Sequence, residues 1–132
     1  MGTPLLGTAA PRIALIEDDE SLALLLRYNL DAMGYVVEWT AHGPAALARV
    51  LDDPPDVVLL DWVIPGLSGI EILRQIRLNA RTRSLPVLML TARTDREDRL
   101  RAHELGIDAF IAKPFALGDV MSRLQRLLLS SS

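Results

Sequence analysis

Residues 56–66 read Asp-Val-Val-Leu-Leu-Asp-Trp-Val-Ile-Pro-Gly, and this stretch decides the fold. After Asp56, its apolar run continues to Leu60 without a polar residue, so it does not alternate as a half-exposed strand would. Unbroken runs of this kind are typical of strands that are buried on both faces of a parallel sheet. The stretch therefore predicts a central strand that ends directly before the carboxylate of Asp61.

Four further segments predict the other strands. Arg12 to Ile16 and Leu85 to Leu90 are similarly apolar, which again indicates burial on both faces. Tyr35 to Trp39 is interrupted by Glu38, and Ala109 to Ala112 is short, so both segments suit the edges of a sheet. Helical patterns lie between these strands, which gives a β-α order repeated five times.

Capping residues indicate where helices begin and end. Ser68 with Glu71, and Thr94 with Glu97, match the pattern of a capping box, in which two side chains satisfy backbone N–H groups at a helix start. The last helix has one apolar stripe and is predicted to end before Ser130.

Residues that directly follow the strands are the functional candidates. Parallel strands joined by right-handed crossovers place helices on both sides of one sheet, and ligands bind beyond the carboxyl ends of the strands. That edge is predicted to gather three acids, a hydroxyl and an amine: Glu17, Asp18, Asp61, Thr91 and Lys113.

This set of side chains suits a magnesium ion and a phosphoryl group. Crowded carboxylates resist ionising together unless a cation neutralises them, and oxygen ligands without cysteine favour a hard ion such as Mg²⁺. Phosphoryl transfer needs mainly positioning and charge neutralisation. Asp61 can supply the attacking oxygen, Lys113 can offset the charge of the phosphoryl oxygens, and Thr91 can donate a hydrogen bond to them.

Several motifs in order resemble a response-regulator receiver domain over residues 11–129. They are Glu17-Asp18, the stretch from Asp61 to Gly69, Thr91-Ala92, Phe110, and Lys113-Pro114-Phe115. The resemblance implies a flavodoxin-like or CheY-like, doubly wound α/β fold, with a five-stranded parallel sheet in the order 2-1-3-4-5 and five helices. It also implies two-component phosphorelay signalling rather than a turnover enzyme.

The family implies a role for each matching residue. Asp18, Asp61 and the main-chain carbonyl of Val63 would bind Mg²⁺ directly, and Glu17 would act through water. Asp61 would accept the phosphoryl group from a phosphohistidine of a sensor histidine kinase or phosphotransfer protein.

The remaining family positions belong to the switch. Thr91 and Lys113 would hold the phosphoryl group, and Phe110 would turn inward as Thr91 moves. That movement would alter the face made by the fourth helix, the fifth strand and the fifth helix. The Lys113-Pro114 peptide bond would be cis.

Within the family, the chain is most similar to receivers of winged-helix, phosphate-regulon type transcription factors. Those receivers form homodimers through the switch face when phosphorylated. Matching positions here are Arg99, Glu104, Asp108 and Arg123. Ala109 stands where an acid is common in that subgroup, and Gly118 weakens the start of the last helix.

Composition narrows the other possibilities. The length of 132 residues, of which 50% are hydrophobic, predicts one domain, with residues 1–10 as a flexible leader and 130–132 as a tail. The net charge of -3 is mild and the charges are interspersed, so this segment is not expected to contact nucleic acid. No apolar run is long enough to span a membrane, and the absence of cysteine fits a cytoplasmic location.

Two other functions stay open. The chain could be a degenerate receiver that acts as a constitutive protein-binding module. It could also be a phosphatase that forms an aspartyl phosphate, although such enzymes need a second acid two residues after the nucleophile, where this chain has Val63. An output domain that binds DNA could follow the receiver.

Overall fold

The computed structural model describes residues 9–130, so most of the predicted leader and tail lies outside the described residues. Strands and helices alternate along the described chain. They are β1 (Arg12–Ile16), α1 (Glu20–Ala32), β2 (Val36–Thr40), α2 (Gly43–Asp52), β3 (Val57–Leu60), α3 (Gly69–Leu78), β4 (Val87–Thr91), α4 (Arg96–Glu104), β5 (Ala109–Ala112) and α5 (Leu117–Ser130).

The strands form one parallel sheet in the order β2-β1-β3-β4-β5, which confirms the predicted fold class and strand order. All four residues of β3 are fully buried, because helices cover both faces of the sheet at its centre. One apolar cluster packs α2 and α3 against one face, and a second packs α1 and α5 against the other. This arrangement brings the carboxyl ends of the strands to one edge.

Two of the predicted helix ends differ from the structure. The Oγ of Ser68 accepts a hydrogen bond from the backbone N–H of Glu71, as predicted, at 3.4 Å. The prediction of a cap at Thr94 is wrong, because α4 is preceded by Asp95, which makes no side-chain capping bond. Helix α5 includes Ser130 instead of ending before it, and the Ser130 hydroxyl donates to the carbonyl of Leu127.

Helix α4 is the most polar helix of the domain. Only Ala102 of its nine residues is buried, whereas α3 buries five of its residues. Burial of apolar surface is the main source of helix stability in proteins, so α4 is held more weakly than α3. Among the helices of residues 9–130, none is long and apolar enough to cross a membrane.

Candidate functional site

Backbone hydrogen bonds place the functional side chains at the carboxyl edge of the sheet. The N–H of Asp61 donates to the carbonyl of Ile16 at 3.0 Å, which holds the end of β3 beside the end of β1. The N–H of Lys113 donates to the carbonyl of Thr91 at 2.9 Å, which holds the chain after β5 beside the end of β4. Four strands that are distant in sequence therefore end at one place.

Lys113 joins the acids of this edge. Its Nζ donates to Oε1 of Glu17 and to Oδ2 of Asp61, each at 2.9 Å. Glu17 is only 1% exposed and Asp61 only 8%, so these ion pairs are shielded from water. Shielding from water strengthens the attraction between the ammonium and the carboxylates. It also raises the free-energy cost of leaving either charge unpaired.

Three carboxylates lie close enough to share one cation. Oxygen atoms of Glu17, Asp18 and Asp61 all fall within 4.8 Å of one another. The three carboxylates carry three negative charges when ionised, and the ammonium of Lys113, which is bonded to Glu17 and Asp61, carries one positive charge. The cluster therefore has two negative charges in excess. Asp18 is exposed, which leaves the cluster open to solvent on one side. An all-oxygen donor set with two excess negative charges fits a hard divalent cation such as Mg²⁺.

Burial and ion pairing shift the pKa of two groups in the cluster. Burial raises the pKa of Glu17 above its ordinary value, and the hydrogen bond from Lys113 only partly opposes this effect. For Lys113, burial lowers the pKa, but the hydrogen bonds to Asp61 and Glu17 and their negative charges outweigh it, so the pKa is raised. Lys113 is therefore charged at neutral pH, and Glu17 is a costly charge to bury.

We expect Glu17→Gln to raise the melting temperature at neutral pH in a chelator by about 3 °C. The folded-state pKa of Glu17 is raised, so the folded protein holds the proton of this carboxyl more tightly than the unfolded chain does. The stability that this provides is fully present at pH values below the ordinary pKa of the carboxyl. That stabilisation is lost as the pH rises through the raised value, so the variant's advantage should disappear near pH 4. Thermal unfolding followed by circular dichroism at both pH values measures the difference.

Glu20→Gln, on the exposed first turn of α1, controls for the loss of one negative charge and should give no gain. A lower melting temperature of Glu17→Gln at neutral pH would mean that the ion pair with Lys113 outweighs the burial cost. Addition of Mg²⁺ should stabilise the wild-type protein more than Glu17→Gln, because the variant carries less charge for the cation to neutralise.

The carboxylate of Asp61 is fixed in orientation. Its Oδ1 accepts a hydrogen bond from the backbone N–H of Trp62 at 2.6 Å, while Oδ2 faces Lys113. The next turn closes tightly, because the N–H of Gly69 donates to the carbonyl of Trp62 at 2.6 Å. A Cβ atom at Gly69 would overlap the carbonyl oxygen of Asp61. The loop between β3 and α3 therefore depends on a residue without a side chain.

Thr91 is the last residue of β4, and Arg93 lies on the loop that follows it. Thr91 is buried, and its Oγ1 accepts a hydrogen bond from the N–H of Arg93 at 3.0 Å. The guanidinium of Arg93 lies over the Trp62 ring, 5.0 Å from its centroid, and forms an ion pair with Asp98 at 3.0 Å. No sequence pattern indicated this stack, which connects the loop after Asp61 with the first turn of α4.

Asp19 caps a helix rather than joining the acidic cluster. Its Oδ1 accepts a hydrogen bond from the N–H of Leu22 at 3.2 Å, at the start of α1. Its own N–H donates to Oε2 of Glu17 at 3.1 Å, which helps to orient that carboxylate. The cap at α1 thus also positions a member of the cluster.

The predicted switch residues Thr91 and Phe110 lie on the neighbouring strands β4 and β5. Phe110 is half-buried on β5, with the guanidinium of Arg99 5.7 Å from its ring centroid. The Lys113-Pro114 peptide bond is cis. Val63 lies on the loop after Trp62 and is 58% exposed.

The four predicted dimer-face residues do not all present free side chains. Arg99 and Arg123 border a surface groove, and Glu104 is exposed at the end of α4. Asp108 instead turns to its own domain, where its Oδ2 accepts from the Val87 N–H at 2.8 Å. The same oxygen pairs with Arg77 at 3.0 Å, an interaction that the sequence did not indicate.

An open parallel sheet whose carboxyl edge gathers acids around a lysine defines a domain of the CheY-like α/β class. A family model described as "Response regulator receiver domain" matches residues 13–125. The chain therefore belongs to the response regulator receiver domain family.

Relatives and solved structures agree with this assignment. The chain is 42% identical over 118 residues to the phosphate regulon transcriptional regulatory protein PhoB of Rhizobium meliloti (strain 1021), covering 89% of this chain and 52% of that protein. The chain thus spans about half the length of the curated relatives that it matches.

Two solved structures illustrate the similarity of the fold. The non-phosphorylated HemR receiver domain from Leptospira biflexa has a TM-score of 0.83 at 37% identity, covering 89% of this chain and 94% of that one. The receiver domain of a sensor histidine kinase from Pseudomonas aeruginosa PAO1, which has magnesium coordinated in its active site cleft, has a TM-score of 0.82 at 30% identity. That match covers 91% of this chain and 98% of the other.

Proposed function

We propose that Asp61 accepts a phosphoryl group from a phosphohistidine of a sensor histidine kinase or phosphotransfer protein. The observation that carries this proposal is the position of Lys113, whose ammonium lies 2.9 Å from Oδ2 of Asp61 and 2.9 Å from Oε1 of Glu17. A fixed carboxylate beside a fixed cation at an open, acidic edge suits the transfer of an anionic group.

In the proposed step, an oxygen of Asp61 attacks the phosphorus atom, a new O–P bond forms, and the N–P bond of the donor breaks. The electron pair of that bond returns to the imidazole nitrogen, so the reaction needs no further co-reactant. Lys113 then remains within reach of the phosphoryl oxygens, and the Thr91 hydroxyl can donate to one of them. Asp18, Asp61 and the Val63 carbonyl would hold Mg²⁺ directly and Glu17 through water; the bound ion would neutralise the negative charge that accumulates.

We further propose that phosphorylation shifts the domain between two conformations. The aspartyl phosphate adds charge and strong acceptor oxygens beside Thr91 and Lys113, and stabilises the conformation in which these residues approach it. Phe110 would follow Thr91 inward, which would alter the surface made by α4, β5 and α5. Helix α4 buries only Ala102, so its displacement would cost little apolar contact.

The output of this switch is proposed from the relatives. Several of them are named as transcriptional regulatory proteins, and the chain covers about half of their length. A DNA-binding output domain outside the described segment would account for the rest of the relatives' length. Phosphorylation of Asp61 would control the assembly of that domain. We propose a cytoplasmic location, which a chain without cysteine permits.

Neither alternative function has comparable support. A phosphatase of the aspartyl-phosphate type needs a general acid two residues after the nucleophile, and the apolar Val63 occupies that position. A degenerate receiver would not need the acids and the ammonium to meet, yet Glu17 and Asp61 are buried and both are ion-paired to the partly buried Lys113.

The test is incubation with acetyl phosphate and Mg²⁺ followed by intact-protein mass spectrometry. We expect one added phosphoryl group on the wild-type chain, no addition to Asp61→Asn, and a normal level on Asp31→Asn, which alters an exposed acid of α1. Chelation of Mg²⁺ should reduce the yield at least tenfold, about 1.4 kcal/mol of barrier. Equal labelling of Asp61→Asn would exclude Asp61 as the acceptor.

A further inference from the structure

The end of strand β2 holds the backbone of Glu17 by two hydrogen bonds. The paired residues of β1 and β2 end at Ile16 and Thr40, so Glu17 lies one position beyond the last pair. Its N–H donates to the carbonyl of Thr40 at 3.2 Å, and its own carbonyl accepts a hydrogen bond from the indole N–H of Trp39 at 2.7 Å. A side chain of β2 therefore extends the contact between the two strands past their last paired residues.

These two hydrogen bonds restrain the direction of the chain through the acidic pair. A peptide group is planar, so the bond to the N–H of Glu17 orients the peptide before it, and the bond to its carbonyl orients the peptide that leads to Asp18. The two dihedral angles of Glu17 relate these planes, and both angles are therefore restrained. The bond from Trp39 is the one that acts on the peptide of Asp18.

The Trp39 indole is itself held in place. Trp39 is partly buried and packs against the apolar cluster that α1 and α5 form with the sheet. A buried indole N–H usually finds an acceptor. Here the acceptor belongs to Glu17, a residue that is only 1% exposed and whose carboxylate is bonded to Lys113. The bond thus connects an edge strand of the sheet with the charged groups of the site.

A second contact carries this restraint from the main chain to the carboxylate of Glu17. Its Oε2 accepts a hydrogen bond from the N–H of Asp19 at 3.1 Å, while its Oε1 faces Lys113. The position of the Asp19 N–H depends on the peptide planes that precede it. A shift of the Glu17 carbonyl would therefore move the donor that orients the Glu17 carboxylate.

We propose that Trp39 is a positioning residue for Glu17 and Asp18, and through them for the divalent cation that the acidic cluster would hold. The part of the inference that concerns the cation rests on the proposed function. Groups that orient metal ligands from outside the coordination sphere typically change metal affinity tenfold or more when they are removed. The simpler alternative is that the Trp39 ring only packs against its apolar neighbours, and its N–H would then have no effect on the site.

Trp39→Phe removes the indole N–H and retains an aromatic ring on β2. We expect Mg²⁺ to bind this variant about tenfold more weakly than the wild type, in a titration followed by the amide chemical shifts of residues 17–19 and 61–63. Tyr35→Phe is the matched control, because it also removes one polar group from an aromatic side chain that packs against the same apolar cluster. It should leave the affinity for Mg²⁺ within twofold of wild type.

A metal-free measurement separates this inference from the proposed function. In a chelator, the N–H of Asp19 should exchange with deuterium about fivefold faster in Trp39→Phe than in the wild type, because its bond to Glu17 is less well oriented. Exchange of the β3 amides reports global stability and corrects for any change in it. A wild type that bound no Mg²⁺ would contradict the proposed function, and the exchange of Asp19 would then decide the positioning of the two acids.

The wild-type protein provides a test that needs no variant. The indole N–H signal of Trp39 should shift as Mg²⁺ saturates the site, because the carbonyl that accepts its hydrogen bond precedes Asp18. An unchanged indole signal at saturation would overturn the proposal. It would also be overturned if Trp39→Phe had a lower melting temperature but bound Mg²⁺ as tightly as Tyr35→Phe, since the tryptophan would then contribute packing alone.

Discussion

Lys113→Ala should still accept a phosphoryl group but should lose at least nine-tenths of the conformational response to it. The nucleophile Asp61 is unchanged in this variant, and Asp18 remains available to a cation. The ammonium that contacts Oδ2 of Asp61 is missing, and a hydrogen bond to a charged group contributes about 1.5–3 kcal/mol. A loss of that size lowers the ratio of active to inactive conformations about tenfold or more.

The measurement compares amide spectra of the wild type and the variant before and after acetyl phosphate. Phosphorylation should shift the signals of Thr91, Phe110 and α4 in the wild type, and should shift them little in Lys113→Ala at the same level of labelling. Lys113→Met retains most of the aliphatic chain, so agreement between the two variants would assign the effect to the charge. A full response of Lys113→Ala would refute the coupling role.

The same substitution should also destabilise the protein in the absence of Mg²⁺. Glu17 and Asp61 lose their common partner, and burial of two unpaired carboxylates is expected to cost about 2–3 kcal/mol. A divalent cation can replace part of the missing positive charge, so added Mg²⁺ should recover more stability in the variant than in the wild type.

The fold could be predicted because its information is local. The apolar runs around Val57 to Leu60 and Arg12 to Ile16 identify buried strands, and parallel strands that alternate with helices leave few topologies. Once the strand order is known, the acids and Lys113 meet at one edge. The structure brings Glu17 and Asp61 to Lys113 as the sequence predicted, although 96 residues separate Glu17 from Lys113.

Details that depend on long-range packing could not be predicted. Arg77 pairs with Asp108 across 31 positions, and no periodic pattern encodes such a pair. The burial that raises the pKa of Glu17 likewise depends on residues that are distant in sequence. Trp39, on β2, donates its indole N–H to the main-chain carbonyl of Glu17, just after β1, at 2.7 Å.

The mistaken cap of α4 has a more local cause. Thr94 and Asp95 are adjacent and both are good capping residues, so the pattern of side chains does not decide which of them precedes the helix. The capping box at Ser68 was also only half correct. The carboxylate of Glu71 pairs with Arg74, at 2.8 Å, on the exposed side of α3.

Gly69→Ala should destabilise the domain by about 2–4 kcal/mol and reduce phosphoryl acceptance by Asp61. The φ angle of Gly69 is not positive, so the backbone conformation itself would accept alanine. Space is the obstacle, because the added Cβ would overlap the carbonyl oxygen of Asp61 and lie 2.8 Å from Cα of Trp62. Both are backbone atoms that cannot rotate away, so the loop after β3 must move.

Gly118→Ala is the matched control, since it adds the same methyl group at a position where nothing lies within 4 Å. Gly118 is in the first turn of α5, and alanine should stabilise that helix by roughly 0.5–1 kcal/mol. Urea unfolding and acetyl phosphate labelling of both variants measure the two effects together. If Gly69→Ala were as stable and as readily labelled as Gly118→Ala, the close contact with Asp61 would have no role in positioning the carboxylate. If Gly69→Ala instead lowered the free energy of unfolding and the labelling while Gly118→Ala raised the free energy of unfolding, the turn after β3 would be needed to position the Asp61 carboxylate.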